Sequence, residues 1–522
     1  MILNRENINT IKNDGIIKPA DHLFNLPEKV LQFGTGVLLR GLPDYFIDKA
    51  NRQGIFNGRI VVVKSTDHGS TKEFDQQDNL YTLCIKGIEN GKTVEENIIN
   101  SSISRVLTAG KQWEEILAFG ASESLEVVIS NTTEVGIQLI EDDVYASPPI
   151  SFPGKLLAIL YHRFKTFNGS KDKGLVIIPT ELIVDNATKL EEILVKLSKR
   201  NNLPASFISW LSECNYFCNS LVDCIVPGKP DTQQLTKIEE ELGYQDNLLV
   251  MSEVYRLWAI SGNEKVKQIL SFAQADSGVV ITPDINLHRE LKLRLLNGTH
   301  TLSCGLAFLA GFDTVKSAMD HEAMERFIGH LMRTELAPAI PYQVTKDQTE
   351  EFAFKVLDRF RNPHIDHQWL SITANFSSKL RMRVLPVLLN YFSQFNKVPE
   401  LMAMGFASYI RFMKSSRNEN GKYFGEINNQ EYLINDTKAD YLDKLWTNHS
   451  ADIVHAVLSD TLLWGEDLSQ LPGFQKSVNN YLKSMDNSLS IKEIINQGFW
   501  IIPLGENKCR LGFTYIWDNL DW

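Results

Sequence analysis

The chain has 522 residues, of which 43% are hydrophobic and 22% are charged, and its formal net charge at pH 7 is -11. Its length exceeds what a single hydrophobic core usually holds and predicts two domains. The composition is that of a soluble globular protein, and the negative charge argues against nucleic acid or an anionic membrane surface as the main partner.

The cysteine content and the lack of long apolar runs favour a location in the cytosol. The six cysteines are sparse for this length, which favours a reducing cytosol over a disulfide framework. Cys214, Cys218 and Cys224 lack the pairing and the fourth ligand of a zinc site, so we expect core thiols and no metal. No signal-peptide pattern begins the sequence, and no run approaches the roughly 18 apolar residues of a membrane span. We therefore expect a cytoplasmic protein with no membrane partner.

Short β-branched runs alternate with helical patterns through the first half of the chain. Strands are predicted over 29–33, 59–63, 125–129 and 174–179, with a helix over 38–50 and a strand-rich departure over 81–106. This alternation predicts a parallel sheet covered on both faces. After about residue 285 helical patterns dominate, over 291–310, 314–331, 350–361, 379–392 and 401–414. We expect an α/β domain over 1–284 and a mainly α-helical domain over 285–522.

A glycine pair, Gly34-x-Gly36, directly follows the first predicted strand and opens a helix. Glycines allow a tight turn and a close approach of the backbone to a pyrophosphate, which predicts a Rossmann-like, dinucleotide-binding domain. The third glycine of the usual fingerprint is replaced by Leu39. Arg40 either pairs with a phosphate, braces the turn, or forms a surface ion pair with Asp44.

Two further strand ends bear on the cofactor. The second strand ends at Lys64, and Asp67 follows three residues later. A lysine there would tolerate the 2′-phosphate of NADP, whereas an aspartate could bind the ribose of NAD, so both cofactors stay open. Asn131 and Thr132 follow the third strand and suit the amide or ribose side of a nicotinamide, or else form a simple turn.

The segment from Lys292 to His300 combines an amine, an amide and an imidazole. At about 100° per residue on an α-helix, Asn297 lies about 140° and His300 about 80° around from Lys292. A carbonyl/alcohol interconversion needs a group that acts as both base and acid, and a donor aimed at the developing oxyanion. The alternative is an ordinary amphipathic helix with a solvated lysine.

The spacing Lys-x4-Asn-x2-His resembles the signature of the polyol-specific long-chain dehydrogenases, the mannitol dehydrogenase family. Four more segments resemble that family in the expected order: 33–40, 130–134, 221–223 and 359–363. The resemblance implies an NAD-dependent enzyme without metal, in which Lys292 is the general acid/base, Asn297 the oxyanion donor and His300 a ligand of the substrate oxygen. The residues it implies for the cofactor are Phe33, Gly34, Gly36, Arg40, Asn131 and Thr132. It implies Asp223 for the substrate.

One departure from the family concerns the fourth strand. Polyol-acting members carry Cys-Asp-Asn after it, whereas this chain has Thr180-Glu181-Leu182, so an amide is missing unless Asn186 compensates. The Glu-Leu pair resembles the tagaturonate reductase branch of the family, whose members interconvert tagaturonate and altronate. Glu181 is then a candidate for binding a substrate hydroxyl or for holding Lys292, with a structural salt bridge as the alternative.

A hexuronate substrate requires a site for its carboxylate. Lys379, Arg381 and Arg383 lie where the family closes its substrate pocket, and arginine is the better clamp because its fork binds both oxygens. The alternative is a solvated basic face. We expect His364 and His367 to be helix-start or surface histidines.

The hypothesis from the sequence is an enzyme that reduces a hexuronate with NAD, or with NADP as the alternative cofactor. Its rivals are a fructuronate reductase or mannitol dehydrogenase, and a non-catalytic nucleotide-binding regulatory protein. We expect a monomer or a homodimer without nucleic-acid partners, and local packing or a subunit contact for the aromatic tail over 498–522.

Overall fold

The computed structural model of the chain describes residues 1–65, 70–132 and 136–486. The chain folds as two compact units, Met1–Arg289 and a second that begins at Glu290. Asp67, Glu134, Cys509 and the aromatic tail lie outside the described residues, as do the predictions made for them. No helix among the described residues is long and apolar enough to cross a membrane.

The first unit combines strands and helices. Its strands are β1 (Ile16–Ile17), β2 (Glu28–Phe33), β3 (Arg59–Lys64), β4 (Tyr81–Glu89), β5 (Lys92–Asn100), β6 (Ile103–Thr108), β7 (Val127–Ser130), β8 (Val176–Pro179), β9 (Tyr216–Phe217), β10 (Ser220–Asp223), β11 (Val250–Glu253), β12 (Leu257–Ser261) and β13 (Val279–Thr282). Its helices are α1 (Val37–Gly41), α2 (Pro43–Arg52), α3 (Lys72–Gln76), α4 (Trp113–Gly120), α5 (Phe152–Thr166), α6 (Asn186–Arg200), α7 (Ala205–Cys214), α8 (Thr232–Leu242) and α9 (Glu264–Ile269). Helix α10 (Asn286–Leu291) leads into the second unit.

The central sheet of this unit is parallel, in the spatial order β6-β3-β2-β7-β8-β9. Counted along the chain, this is the order 3-2-1-4-5-6 of dinucleotide-binding sheets. The central residues of its strands are mostly apolar because both faces of the sheet are covered. Val30 and Val62 belong to one buried cluster, while Leu31 and Val61 belong to another. The order reverses between β2 and β7, so the segments after these two strands meet at the switch point.

The strand predictions for this sheet are confirmed, and the helix predicted over 38–50 is divided. It breaks at Leu42, whose φ of -127° and ψ of -76° are not helical, directly before Pro43. In the strand-rich stretch, β4 and β5 pair antiparallel within a sheet of order β1-β5-β4-β11. A third sheet has the order β10-β12-β13.

The second unit is mainly helical, as expected. Its helices are α11 (Asn297–Leu309), α12 (Val315–Met319), α13 (Glu322–His330), α14 (Lys346–Phe360), α15 (Trp369–Ile372), α16 (Phe376–Lys379), α17 (Leu385–Phe395), α18 (Glu400–Phe412), α19 (Ala439–His449), α20 (Ile453–Leu458), α21 (Thr461–Trp464) and α22 (Phe474–Asp486). Among its residues up to 486, three segments are π-helical, Lys292–Leu296, Leu331–Leu336 and Leu380–Val384.

A small antiparallel sheet in this unit was not predicted from the sequence. It contains β14 (Arg417–Glu419), β15 (Lys422–Ile427) and β16 (Gln430–Leu433). Its turns hold Asn420-Gly421 and Asn428-Asn429, all with positive φ. Asn-Gly between short strands is a strong hairpin signal, so the sequence did contain the information.

Candidate active site

The glycine loop lies at the switch point of the central sheet. Gly34 has a φ of +128°, and a Cβ atom there would lie 2.9 Å from the carbonyl oxygen of Asn131. Only glycine fits, because this φ is unfavourable for other residues and the backbone of the neighbouring strand end is in the way. A Cβ atom at Gly36 would meet nothing within 4 Å. The loop therefore combines a close approach between two strand ends with open space for a ligand.

Two of the residues implied for the cofactor direct their side chains into the protein. Phe33 is fully buried and packs edge-on against Phe152, with ring centroids 5.0 Å apart. Arg40 is buried, donates a hydrogen bond to the carbonyl of Leu248, and lies over the ring of Tyr81 at 5.4 Å. Burial lowers the pKa of Arg40. Phe33 can thus offer a cofactor only its backbone, and the geometry supports the bracing interpretation of Arg40.

Asp44 does not form the surface ion pair considered from the sequence. It is fully buried, and burial raises its pKa to about 8. Gln32 Nε2 lies 3.4 Å from Asp44 Oδ2, while Asp44 Oδ1 and Gln32 Oε1 are buried without a hydrogen-bond partner among the described residues. Burial favours the protonated, uncharged form of this acid.

Glu181 is hydrogen-bonded to the segment after β7. Its Oε1 accepts from the backbone N–H of Thr132 at 2.8 Å and from its hydroxyl at 2.9 Å, and its Oε2 accepts from Ser130 at 3.1 Å. Asn131 in turn donates from Nδ2 to the Thr180 hydroxyl at 2.9 Å. Burial raises the pKa of Glu181, against these hydrogen bonds. Both carboxylate oxygens are engaged inside the first unit, so Glu181 orders the segment after β7.

Leu182 stands where the family's polyol members place an amide, and its side chain is 66% exposed. Asn186 does not compensate for the missing amide. It is fully buried, and its Nδ2 lies 3.0 to 3.2 Å from the backbone carbonyls of Pro179, Glu181 and Ser220. Asp223 is buried at the end of β10.

In the second unit, a π-helical turn carries Lys292 and ends at Asn297. The backbone N–H of Asn297 donates to the carbonyl of Lys292, five residues earlier. Such a bond places the two residues one turn apart on the same side of the helix, so the 140° offset expected of an α-helix is wrong. The amine and the amide donor are therefore better aligned than the sequence predicted. Single π turns within α-helices occur frequently at functional sites.

His300, on α11, is buried among rings. It stacks on Phe360 with centroids 4.2 Å apart, and His367 and Trp369 meet it edge-on at 5.0 and 6.0 Å. Its Nε2 has no hydrogen-bond partner among the described residues. Burial, followed by the neighbouring His367 and by cations, lowers the pKa of His300 well below its ordinary value. His300 is thus a neutral imidazole, and its buried Nε2 is left without a partner among the described residues.

Three cations surround this histidine, and we call Arg359, Lys379 and Arg383 the cation cluster. All three lower the pKa of His300 by their charge. Lys379 donates to a backbone carbonyl, that of Ile372, at 2.8 Å, and Arg383 donates to the Thr301 hydroxyl at 3.2 Å. Positive charge concentrated beside a buried neutral histidine favours an anionic ligand.

Arg381 lies apart from the cation cluster. Arg381 is an exposed residue. Its guanidinium lies beside Gly465, where an added Cβ atom would be 3.2 Å from Arg381 Nη2. Residues two apart on a helix point to different sides, which separates Arg381 from Lys379 and Arg383.

The sequence reasoning missed two neighbours of His300. Arg359 was part of a segment used only for its order along the chain, and His367 was expected to be a helix-start or surface residue. His367 is half-buried and contacts His300, whereas His364 is exposed as expected. No local pattern links these residues, because the contacts join segments about sixty residues apart.

The described cysteines and possible metal ligands bear on the expectation of core thiols without a metal. There, no group of three or more His, Cys, Asp or Glu residues could hold a metal ion. Cys84, Cys214, Cys218, Cys224 and Cys304 are free thiols.

Family models match both units. The model of the mannitol dehydrogenase Rossmann domain matches residues 28–272, and that of the mannitol dehydrogenase C-terminal domain matches residues 284–486. The altronate oxidoreductase of Bacillus subtilis (strain 168) is 37% identical over 482 residues, which cover 91% of this chain and 96% of that protein. The altronate oxidoreductase of Yersinia enterocolitica is 37% identical over 473 residues, 88% of this chain and 95% of that protein.

Two solved structures share the fold. Mannitol 2-dehydrogenase from Pseudomonas fluorescens, in a ternary complex with NAD and D-mannitol, has a TM-score of 0.66 at 21% identity and covers 96% of this chain and 99% of its own. A substrate-free D-sorbitol dehydrogenase has a TM-score of 0.72 at 18% identity, covering 95% of this chain and 100% of its own.

Proposed function

This chain belongs to the mannitol dehydrogenase family, and we propose that it catalyses the NAD-dependent interconversion of tagaturonate and altronate. The reaction is the reversible reduction of a ketone to a secondary alcohol in a sugar acid. Two supports point to the sugar acid: relatives at 37% identity over most of the chain are altronate oxidoreductases, and the second unit gathers three cations around His300. The cation cluster carries the proposal, because a neutral polyol needs no such charge.

The first unit fits a dinucleotide. The glycine loop lies at the switch point of a sheet with the strand order of dinucleotide-binding folds, and the position of Gly36 is open. A structure with the same fold is a complex with NAD. We propose that Gly34, Gly36, Asn131 and Thr132 hold the cofactor, with NAD preferred to NADP. When bound, NADH supplies the hydride that the ketone carbon accepts.

The side chains of the second unit supply the proton and the electrostatic stabilisation. Lys292 donates a proton to the ketone oxygen as negative charge develops there, and in the reverse direction it takes the proton from the alcohol. Asn297, one π turn along, donates a hydrogen bond to the same oxygen. Neutral His300 offers its Nε2 to a neighbouring substrate oxygen. One hydride and one proton are added to the carbonyl group, so tagaturonate, NADH and a proton give altronate and NAD.

Substrate selection follows from charge. Lys379 and Arg383 bind the carboxylate of the sugar acid, with Arg383 contributing a planar fork that matches two carboxylate oxygens. Arg359 adds positive charge beside His300. Leu182, in place of an amide, removes a polar contact that a polyol-specific enzyme would use.

The test is a nicotinamide absorbance assay of the purified protein with tagaturonate, fructuronate and fructose, each with NADH and with NADPH. The proposal expects the highest kcat/KM for tagaturonate with NADH. A higher value for fructuronate would overturn the choice of epimer, and fructose turned over as well as the uronates would overturn the carboxylate site. If NADH bound without turnover of any substrate, the chain would be a nucleotide-binding regulator.

A further inference from the structure

A buried arginine connects the two π-helical segments that carry the proposed chemistry. Arg294 lies in the turn Lys292–Leu296 and is 7% exposed. Its Nη1 donates to the carbonyl of Met382 at 2.6 Å and to that of Arg383 at 3.0 Å. Those carbonyls belong to the second π segment, Leu380–Val384. A single guanidinium thus joins the segment of the proposed acid/base to the segment of the proposed carboxylate ligand.

The position of Pro386 explains why the carbonyl of Met382 needs a hydrogen-bond donor from outside its own helix. Pro386 stands in the first turn of α17, and proline has no backbone N–H. The α-helical bond that residue 386 would otherwise make is to Met382, four residues earlier. The guanidinium of Arg294 supplies the donor that the proline cannot, through a partly buried hydrogen bond.

The charge of Arg294 is balanced within its own helix. Its Nε lies 2.8 Å from Glu290 Oε2, one turn earlier, and both side chains are largely buried. With its charge paired and its donors directed at backbone carbonyls, Arg294 is suited to hold geometry and not to bind substrate.

We propose that Arg294 and Glu290 are positioning residues that set the spacing between the proton donor Lys292 and the carboxylate ligand Arg383, an inference that rests on the proposed function. A sugar acid fixed at its carboxylate presents its ketone at a set distance, so this spacing decides whether the oxygen meets the amine. A misplacement of about 1 Å can cost about a hundredfold in rate.

The test measures kcat and KM of Arg294→Met, Arg294→Lys and Glu290→Gln with tagaturonate. We expect kcat for Arg294→Met to fall by about ten- to a hundredfold, with KM for tagaturonate raised and KM for NADH unchanged. Arg294→Lys keeps the charge but not the fork, and should lie between this variant and the wild type.

A matched control is Arg163→Lys in the first unit. Arg163 is buried, and its guanidinium donates to the backbone carbonyls of Lys173, Gly120, Ser122 and Leu125, which precede β7 or β8. This is the amino end of the sheet, opposite the glycine loop. Arg163→Lys should lower the Tm while leaving both KM values within about twofold of wild type.

The double variant Arg294→Met/Pro386→Ala separates positioning from simple stability. Alanine at 386 restores an N–H for the Met382 carbonyl, so the double variant should regain Tm but not kcat. Recovery of wild-type kcat and KM would overturn the proposal, because Arg294 would then only satisfy a carbonyl. Wild-type kinetics in Arg294→Met would overturn it as well. If Arg294→Met does not fold, kcat and KM for tagaturonate of Arg294→Lys and Glu290→Gln test the proposal instead, and wild-type values in both would overturn it. A wild-type protein inactive on tagaturonate would instead refute the proposed function.

Discussion

Replacing Arg383 by methionine is the sharpest test of the cation cluster. Arg383 is half-buried, acts by charge on His300, and donates to Thr301 at 3.2 Å. Methionine keeps an unbranched side chain but cannot bind a carboxylate. A lost hydrogen bond to a charged group is worth about 1.5–3 kcal/mol, so KM for tagaturonate should rise about ten- to a hundredfold. KM for NADH should not change, because the proposed cofactor residues lie in the first unit.

The chain offers a control two residues away. Arg381→Met removes the same charge from the same segment, but Arg381 is exposed and lies beside Gly465. Its KM for tagaturonate should stay within about threefold of wild type, the scale of a surface charge. The assay is steady-state oxidation of NADH over a range of tagaturonate and of fructose concentrations. Equal effects of the two variants, or an equal rise in KM for fructose in Arg383→Met, would refute the assignment of Arg383 to the carboxylate.

Four further predictions concern the proton donor, the oxyanion donor, the segment after β7 and a buried acid. Lys292→Ala should lower kcat by about 10²–10⁴-fold, and Asn297→Ala should lower it by about 10²–10³-fold. The affinity of both variants for NADH, measured by fluorescence titration, should not change. Near-normal turnover of a variant would refute the role proposed for that residue. Glu181→Ala should weaken NADH binding by about tenfold or more because Thr132 loses its hydrogen-bond acceptor. Glu181→Gln can still accept a hydrogen bond and should bind NADH nearly as well as the wild type. An equal loss of affinity in both variants would point to a role for the negative charge itself. Because burial raises the pKa of Asp44 from 3.8 to about 8, the folded protein holds a proton that the unfolded chain has lost, and stability falls as pH rises through that window. Asp44→Asn should therefore flatten the fall of Tm between pH 5 and pH 8, and an unchanged pH profile would contradict the raised pKa.

The fold was largely predictable, because its signals are local. Apolar runs such as 59–63 and 125–129 indicate buried strands, and the glycine pair after the first strand indicates a nucleotide loop. The break at Leu42 was missed although Pro43 marks it, and the sheet of β14, β15 and β16 was missed although Asn420-Gly421 signals a hairpin. In both places the information was present in the sequence, and the helical pattern around it was given more weight.

The candidate site was predictable only in part. Lys292, Asn297 and His300 were proposed from their spacing, and Lys379 and Arg383 from their charge. The neighbours Arg359 and His367 were not, because their relation to His300 depends on how α11, α14 and α15 pack. Glu181 was recognised as important, but its partners in the segment after β7 became visible only once two parallel strands lay side by side.

The amino-acid sequence specifies which chemical groups are available and in what order they occur. It contains a glycine loop after a strand, an amine and an amide five residues apart, and basic residues in a later segment. Tertiary structure decided which of these groups face one another. It turned Arg40 inward, set Arg381 apart from Lys379 and Arg383, and replaced an α turn by a π turn so that Asn297 aligns with Lys292. The physical reason is that side-chain direction depends on the hydrogen bonding of the turn and on which carbonyls remain open, as at Pro386. Both are settled by packing between segments distant along the chain.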